Sequence, residues 1–285
     1  MANDLGISEK PEHFYNIDES PTKHDPAKAK AVAGKEQSKI HRTIQGSGRE
    51  NTTVMACICA DGTLMPPLII FKGQKLWSTC KGESDLPGTF YAVAENGYIT
   101  SEIFHDFLIK FVQVVKLRPL LMVLDGHVSH LNLATIELGM RENIAIIKFP
   151  SHTTDVLQPL DKTCFAPYKK KLDQALITWQ RQNQRQQTKS EFVDIVCSVW
   201  KEGITALNIV SGFRSRGVFP INRDKYPVSR LNPQKLQKYL EWKENMSLIF
   251  LLTRKIRSQR TCRDEERRVR ALCIILCLPD SFHDT

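Results

Sequence analysis

Leu120–Leu124 (LLMVL) is five consecutive apolar residues, followed at once by Asp125-Gly126. A strand-length run with no polar face must be covered on both sides. Ile144–Phe149 (IAIIKF) is a second such run, and Asn132–Asn143 between them reads as a helix. Apolar strands alternating with helices predict an α/β fold with parallel pairs in a central sheet and helices on both faces.

The rest of the chain fits around that unit. Phe14–Glu19 (FYNIDE) is a short first strand, and residues 20–50, rich in Lys, Gly, Ser and Pro, read as a long loop. Asn51–Ala60 and Thr63–Lys72 are β-type runs joined by Asp61-Gly62. That is a hairpin signal whose tight turn would need positive φ at both central residues. Pro66-Pro67 limits the third strand to a later start or an edge position. Ile103, Phe104, Phe107, Leu108, Phe111, Val112 and Val115 form one helical stripe, capped by Thr100 or Ser101 and stopped by Pro119.

The second half reads as helical. Leu172, Ala175, Leu176 and Trp179 form one stripe. Phe192, Ile195, Val196, Val199 and Trp200 form another, with a Thr188/Glu191 capping box ahead of it and Gly203 at its end. Trp179 and Trp200 therefore read as core. Residues 211–235, dense in Gly, Pro, Asn and Arg, read as an ordered loop. The expected organisation is a disordered N-terminus over 1–13, a core over 14–225 with a helical C-terminal extension, and a basic tail, partly helical or disordered, over 226–285.

Composition sets limits. The 285 residues carry 40 Lys and Arg against 31 Asp and Glu, a net charge of +9 that suits a polyanionic partner. The eight cysteines show no C-x-x-C and no zinc-module spacing, which favours a reducing compartment. The longest apolar runs, 247–252 and 271–278, fall far short of the roughly 20 residues of a membrane helix. No membrane partner is expected.

Acidic residues fall at informative places. Asp18 or its neighbour Glu19 lies in the first strand, and alternation allows only one of the two to face a given site. Asp125 ends the fourth strand, and Asp161 follows the fifth, close to Pro159 at a helix start. Sites in open α/β sheets gather at the carboxyl ends of strands. Three carboxylates converging there require cations, and Mg²⁺, with its preference for oxygen ligands, is the natural one. His127 and His130 lack accompanying cysteines and read as no more than supporting groups. Lys169, Lys170 and Lys171, with Arg181 and Arg185, could contact phosphates or line a solvated helix face. Cys57 and Cys59 share a strand face and read as core.

Five strings in order resemble one family: Asn16–Glu19 (NIDE), Thr52–Gly62 (TTVMACICADG), Leu124–His130 (LDGHVSH), Leu157–Asp161 (LQPLD) and Gly212–Asn222 (GFRSRGVFPIN). With 35 residues between Asp125 and Asp161, they resemble the DDE superfamily endonuclease domain of pogo, Tigger and jerky-type transposases and their domesticated relatives. The resemblance spans about residues 12–225.

The resemblance implies an RNase H-like mixed sheet. It also implies metal-dependent cleavage and strand transfer of DNA in the nucleus, with Mg²⁺ as the metal and Mn²⁺ as a substitute. It selects Asp18, over Glu19, with Asp125 and Asp161 as the catalytic, metal-binding triad. The alternative reading is a catalytically inactive, domesticated DNA-binding or chromatin protein that retains the fold. Relatives carry a helix-turn-helix region ahead of the first catalytic strand. Here that strand starts within twenty residues, so targeting is expected to rely on a partner or a second copy of the chain.

Overall fold

In the computed structural model, Leu120–Leu124 (β5) lies inside a six-stranded sheet, buried along its whole length. The structure describes residues 1–24, 51–125, 131–149, 154–225 and Gln237. One unit spans Met1–Asn222, and a second spans Arg223–Thr285. Of the second, only a short turn at Arg223–Lys225 and Gln237 are described, so the expectations for the basic tail lie outside the described residues.

The other strands are β1 (Phe14–Lys23), β2 (Asn51–Cys59), β3 (Leu68–Lys72), β4 (Phe90–Ala94) and β6 (Ile144–Lys148). Their spatial order is β4-β3-β2-β1-β5-β6. The β1–β2 and β2–β3 pairs are antiparallel, while β3–β4, β1–β5 and β5–β6 are parallel. Three antiparallel strands continued by parallel strands on the β1 side make the expected mixed, RNase H-like sheet.

Strand alternation divides the core into two layers. Tyr15, Ile17, Met55, Cys57, Leu120, Met122 and Leu124 face α1 (Ser101–Val114) and α2 (Leu133–Arg141), where Phe104, Phe107, Leu108, Phe111 and Leu138 bury. Phe14, Val54, Ala56, Ile58, Phe71 and Leu121 face the other layer. There, beyond the short helix α3 (Thr154–Leu157), α4 (Phe165–Asn183) contributes Tyr168, Leu172 and Leu176, and α5 (Lys189–Gly203) contributes Phe192, Val196 and Trp200. Trp200 also donates its indole N–H to Met65 O at 2.9 Å. Trp179 is partly buried against the same layer.

Local signals predict the helix ends well. Thr100 caps α1 by accepting from Ile103 N, and Thr188 and Glu191 form the complete capping box of α5. Several expectations are corrected. The Asp61-Gly62 connection is a three-residue loop closed by Cys59 N→Thr63 O at 2.9 Å. Only Gly62 has positive φ (99°), as a type I turn followed by a bulge requires. Residues 20–23 extend β1 instead of starting a loop. Pro21 is tolerated there because β5 no longer pairs with β1 beyond Ile17. Residues 25–50 lie outside the described residues.

Residues 1–13, expected to be disordered, form turns that bury Ala2 and Ile7 in the α4–α5 layer. The supposed loop from 211 is helical as far as Arg216. It belongs to α6 (Ala206–Arg216), which ends at Gly217 with φ 66°. Gly203 does not work as a left-handed stop. A Cβ there would sit 2.8 Å from Tyr168 Cα, so the glycine lets α5 pack tightly on α4.

Candidate active site

The site begins with the register of β1 and β5. Ile17 pairs with Leu124, so Asp18 and Asp125 lie one step further along neighbouring parallel strands. Asn16 and Asp18 alternate with Tyr15 and Ile17, which puts them on the α4–α5 face of β1 and Glu19 on the opposite face. Asp125 continues the phase of Leu121, which belongs to that same layer. Backbone geometry thus answers which acid of the Asp18-Glu19 pair shares a face with Asp125.

Asp161 reaches the same place by a different device. Asn16, fully buried, donates through Nδ2 to Val123 O at 3.1 Å and to Gln158 Oε1 at 2.8 Å. Gln158, also fully buried, donates through Nε2 to Ile17 O at 3.3 Å, and Leu160 N donates to Asn16 Oδ1 at 3.3 Å. These bonds tie Gln158-Pro159-Leu160 to β1. The chain then passes through a π-helical turn, Leu160–Cys164, that holds Asp161 and runs directly into α4. Such turns add one residue to a helix and are frequent at functional sites.

Helix α6 braces the turn. Thr163 Oγ1 donates to Asn208 O at 2.6 Å. A Cβ at Gly212 would meet Thr163 Oγ1 at 2.6 Å and Pro159 O at 2.9 Å, so only glycine admits α6 this close. Arg216, in the last turn of α6, and Lys169, on α4, both act on the Asp161 charge.

The three acids interact electrostatically. Burial pushes the Asp18 carboxyl up to about 8, and the Asp161 charge adds to the rise. Hydrogen bonds from Gln158 and from the Glu19 N–H (2.8 Å) hold it back, and Asp125 contributes a smaller push upward. Asp161 is also raised by burial. Lys169 and Arg216 oppose that rise, and Asp125 adds to it. Among the described residues, no three His, Cys, Asp or Glu side chains come close enough to grip one ion. The donor chemistry nevertheless fits a hard dication: every candidate ligand is a carboxylate oxygen, and a dication would reverse the mutual elevation.

The three lysines following Asp161 point to different partners. Lys169 stands over the Phe165 ring at 5.8 Å, Lys170 is exposed, and Lys171 pairs with Glu202 at 3.0 Å. Arg185 is bound to Glu191 and lies over Trp179. His127 and His130 lie outside the described residues. Cys57 and Cys59 are buried and free, as core residues. Asn16, Gln158 and Arg216 were not anticipated as site residues. The available signal was an amide inside an apolar strand, two residues before Asp18 and therefore on its face.

A mixed sheet of this order, with Asp18 inside β1 and Asp125 directly after β5 on the same face, has the RNase H-like fold. Residues 49–213, more than half of the chain, match the DDE superfamily endonuclease family, and the chain belongs to that family. A protein named MFS-type transporter clz9 from Cochliobolus lunatus is 32% identical over 199 residues. The match covers 68% of this chain and 22% of that protein, so the chain spans about a fifth of that relative's length. Among the described residues, no helix is long and apolar enough to cross a membrane.

Similar solved structures include the Mos1 strand transfer complex, with a TM-score of 0.49 and 12% identity, covering 76% of this chain and 56% of that one. The Mos1 transposase catalytic domain with raltegravir and Mn gives a TM-score of 0.44 and 13% identity, covering 78% and 88%.

Proposed function

We propose that this chain is the catalytic core of a transposase-derived nuclease that cleaves and transfers DNA strands by metal-dependent phosphoryl transfer. The observation that carries this reading is the shared electrostatics of Asp18, Asp125 and Asp161 on one face and at one edge of the sheet. Membership of the DDE superfamily endonucleases supports it.

Asp18, Asp125 and Asp161 are the residues that would hold Mg²⁺ or Mn²⁺. Such ions, if held there, would supply activation of an attacking oxygen and charge stabilisation of a departing one. The protein's own contribution is positional. The Asn16–Gln158 bonds fix the Asp161 turn against β1, and the Gln158 amide holds the Asp18 carboxylate in place. Lys169 and Arg216 supply positive charge beside Asp161, where a backbone phosphate of the substrate would lie. Lys170 is free to contact phosphate at the rim, and Lys171 would do so only after leaving Glu202. The working compartment on this reading is the nucleus.

The test is incubation of the purified chain with plasmid and oligonucleotide DNA in Mg²⁺ or Mn²⁺. Nicking or strand transfer that disappears in Asp125→Ala and Asp161→Ala, with circular dichroism unchanged, supports the proposal. Metal-independent DNA binding without cleavage would favour the inactive DNA-binding reading. Cleavage that survives both substitutions would overturn the triad.

A further inference from the structure

Trp77 is 65% exposed, and its neighbour Leu76 is 37% exposed, in the connection between β3 and β4. This connection does not swing freely. Trp77 O accepts from Cys80 N at 3.0 Å, closing a short 3-10 turn over Ser78–Cys80, and Cys80 is buried in the α4–α5 layer. Further along, Asp194 of α5 accepts from Glu83 N at 3.3 Å and Ser84 N at 2.8 Å. An indole held out to solvent on an anchored turn is a preorganised flat surface.

The turn itself carries only positive charge. Residues Lys72–Gly82 contain Lys72, Lys75 and Lys81, all exposed, and no acid. Lys110, above the Phe90 ring at 3.4 Å, is near enough to feel the Lys81 charge, and Lys189 stands 5.5 Å over the Phe71 ring. The next carboxylate along the chain is the exposed Glu83, two residues past Lys81, while Asp194 is held by the backbone and Asp85 by the Tyr91 hydroxyl at 2.5 Å. Asp106 also faces Lys110.

Register fixes where this surface lies. β3 runs parallel to β1, and Thr22, Thr52 and Phe71 stand level with one another. The connection therefore leaves the sheet at the end toward which β1 runs past Asp18. It starts five residues beyond Asp18 and two strands across, roughly 19 Å away by strand geometry. That is about five to six nucleotide steps at 3.4 Å each. Phe71 and Cys80 belong to the same core layer that Asp18 faces.

We infer that Trp77, flanked by Lys75 and Lys81, is a stacking platform for an unpaired base of the DNA strand entering or leaving the carboxylate site. Aromatic faces set among cations hold single-stranded or extruded nucleotides in this way. The inference rests on the reading of the chain as a DNA-processing core, and it adds a contact that the carboxylates do not require.

The test is fluorescence anisotropy with the full chain in EDTA, which separates binding from cleavage. Three probes of one sequence are compared: a single strand, a perfect duplex, and a duplex with one bulged base. Trp77→Ala is expected to weaken binding of the single strand and the bulged duplex about 5- to 100-fold, with the perfect duplex within about 3-fold. Trp77→Phe should restore most of the loss. Lys75→Ala and Lys81→Ala should each weaken all three probes and lower the salt dependence by about one unit of slope. Equal affinity of wild type and Trp77→Ala for every probe, or equal losses on all three, overturns the inference and leaves the nuclease reading intact. A wild-type chain that binds no probe at low salt removes both.

Discussion

Asn16 donates its side-chain amide to Gln158 across 142 positions of sequence, at 2.8 Å and with both residues sealed from solvent. Between them they serve Val123 O, Ile17 O and Leu160 N as well. Few buried amides are this well satisfied, and the pair binds together the three chain segments that carry the acids.

Removing one member should therefore cost more than one hydrogen bond. Gln158→Met keeps the volume but leaves an Asn16 donor hydrogen and Ile17 O without their partner. A loss of about 1–3 kcal/mol is expected in urea unfolding. Asn16→Leu should cost a similar amount, and the double variant should cost clearly less than the two added together. Additive losses would show that the two amides act independently.

Asp18 makes a pH prediction for chelated protein. Its carboxyl is raised to about 8, so between about pH 4 and 8 the folded chain keeps a proton that the unfolded chain has released. Stability should therefore fall as pH rises through that window and level off above it. Asp18→Asn lacks this dependence and should be more stable than wild type at pH 8.5, by on the order of 2 kcal/mol, with the gap closing by pH 4. Mg²⁺ should raise the wild-type melting temperature at pH 8.5 and leave that of the variant nearly unchanged. Parallel stability curves across pH would contradict the shared burial and repulsion at the site.

Gly212→Ala forces a methyl group against Thr163 Oγ1 and Pro159 O. The expected cost is about 1–3 kcal/mol by thermal unfolding. Because α6 braces the turn that carries Asp161, stabilisation by Mg²⁺ should shrink as well. Thr163→Ala relieves only one of the two contacts, so it should recover part of the loss. Full tolerance of the methyl would mean that α6 stands further from the turn.

Glu191→Ala removes the reciprocal half of the α5 cap and the ion pair with Arg185. A cost of about 1 kcal/mol is expected at pH 7. The Arg185 bond lowers the Glu191 carboxyl to about 2, so this contribution is full above the ordinary carboxylate range and fades as pH falls toward 2. Arg185→Ala, which leaves the cap itself, should cost less. Differential scanning calorimetry at pH 7 and pH 3 separates the two.

What could be read in the sequence follows the range of the forces involved. Thr188 and Glu191 are three residues apart, and the Phe104–Phe111 stripe spans two turns, so both were evident. Leu120–Leu124 announced a doubly covered strand through composition alone. Chain order singled out Asp125 and Asp161 and left Asp18 or Glu19 open, a choice that only the family resemblance made. Helix α6 was missed because Gly212 reads as a breaker until Pro159 and Thr163 are seen against it. Residues 1–13 were missed because Ile7 is buried by elements far along the chain. The Asn16–Gln158 bonds were missed for the same reason.

The π-helical turn at Leu160–Cys164 sets a phase. Asp161 and Lys169 are eight residues apart, which on an uninterrupted helix would leave them about 80° out of line. One residue absorbed by the wide turn makes them behave as if seven apart, nearly eclipsed on a single side. Lys169 is therefore brought to the side of Asp161 by a local winding defect: a one-residue deletion that restored regular winding would keep that phase, whereas a one-residue insertion would swing the cation away without altering any side chain at the site.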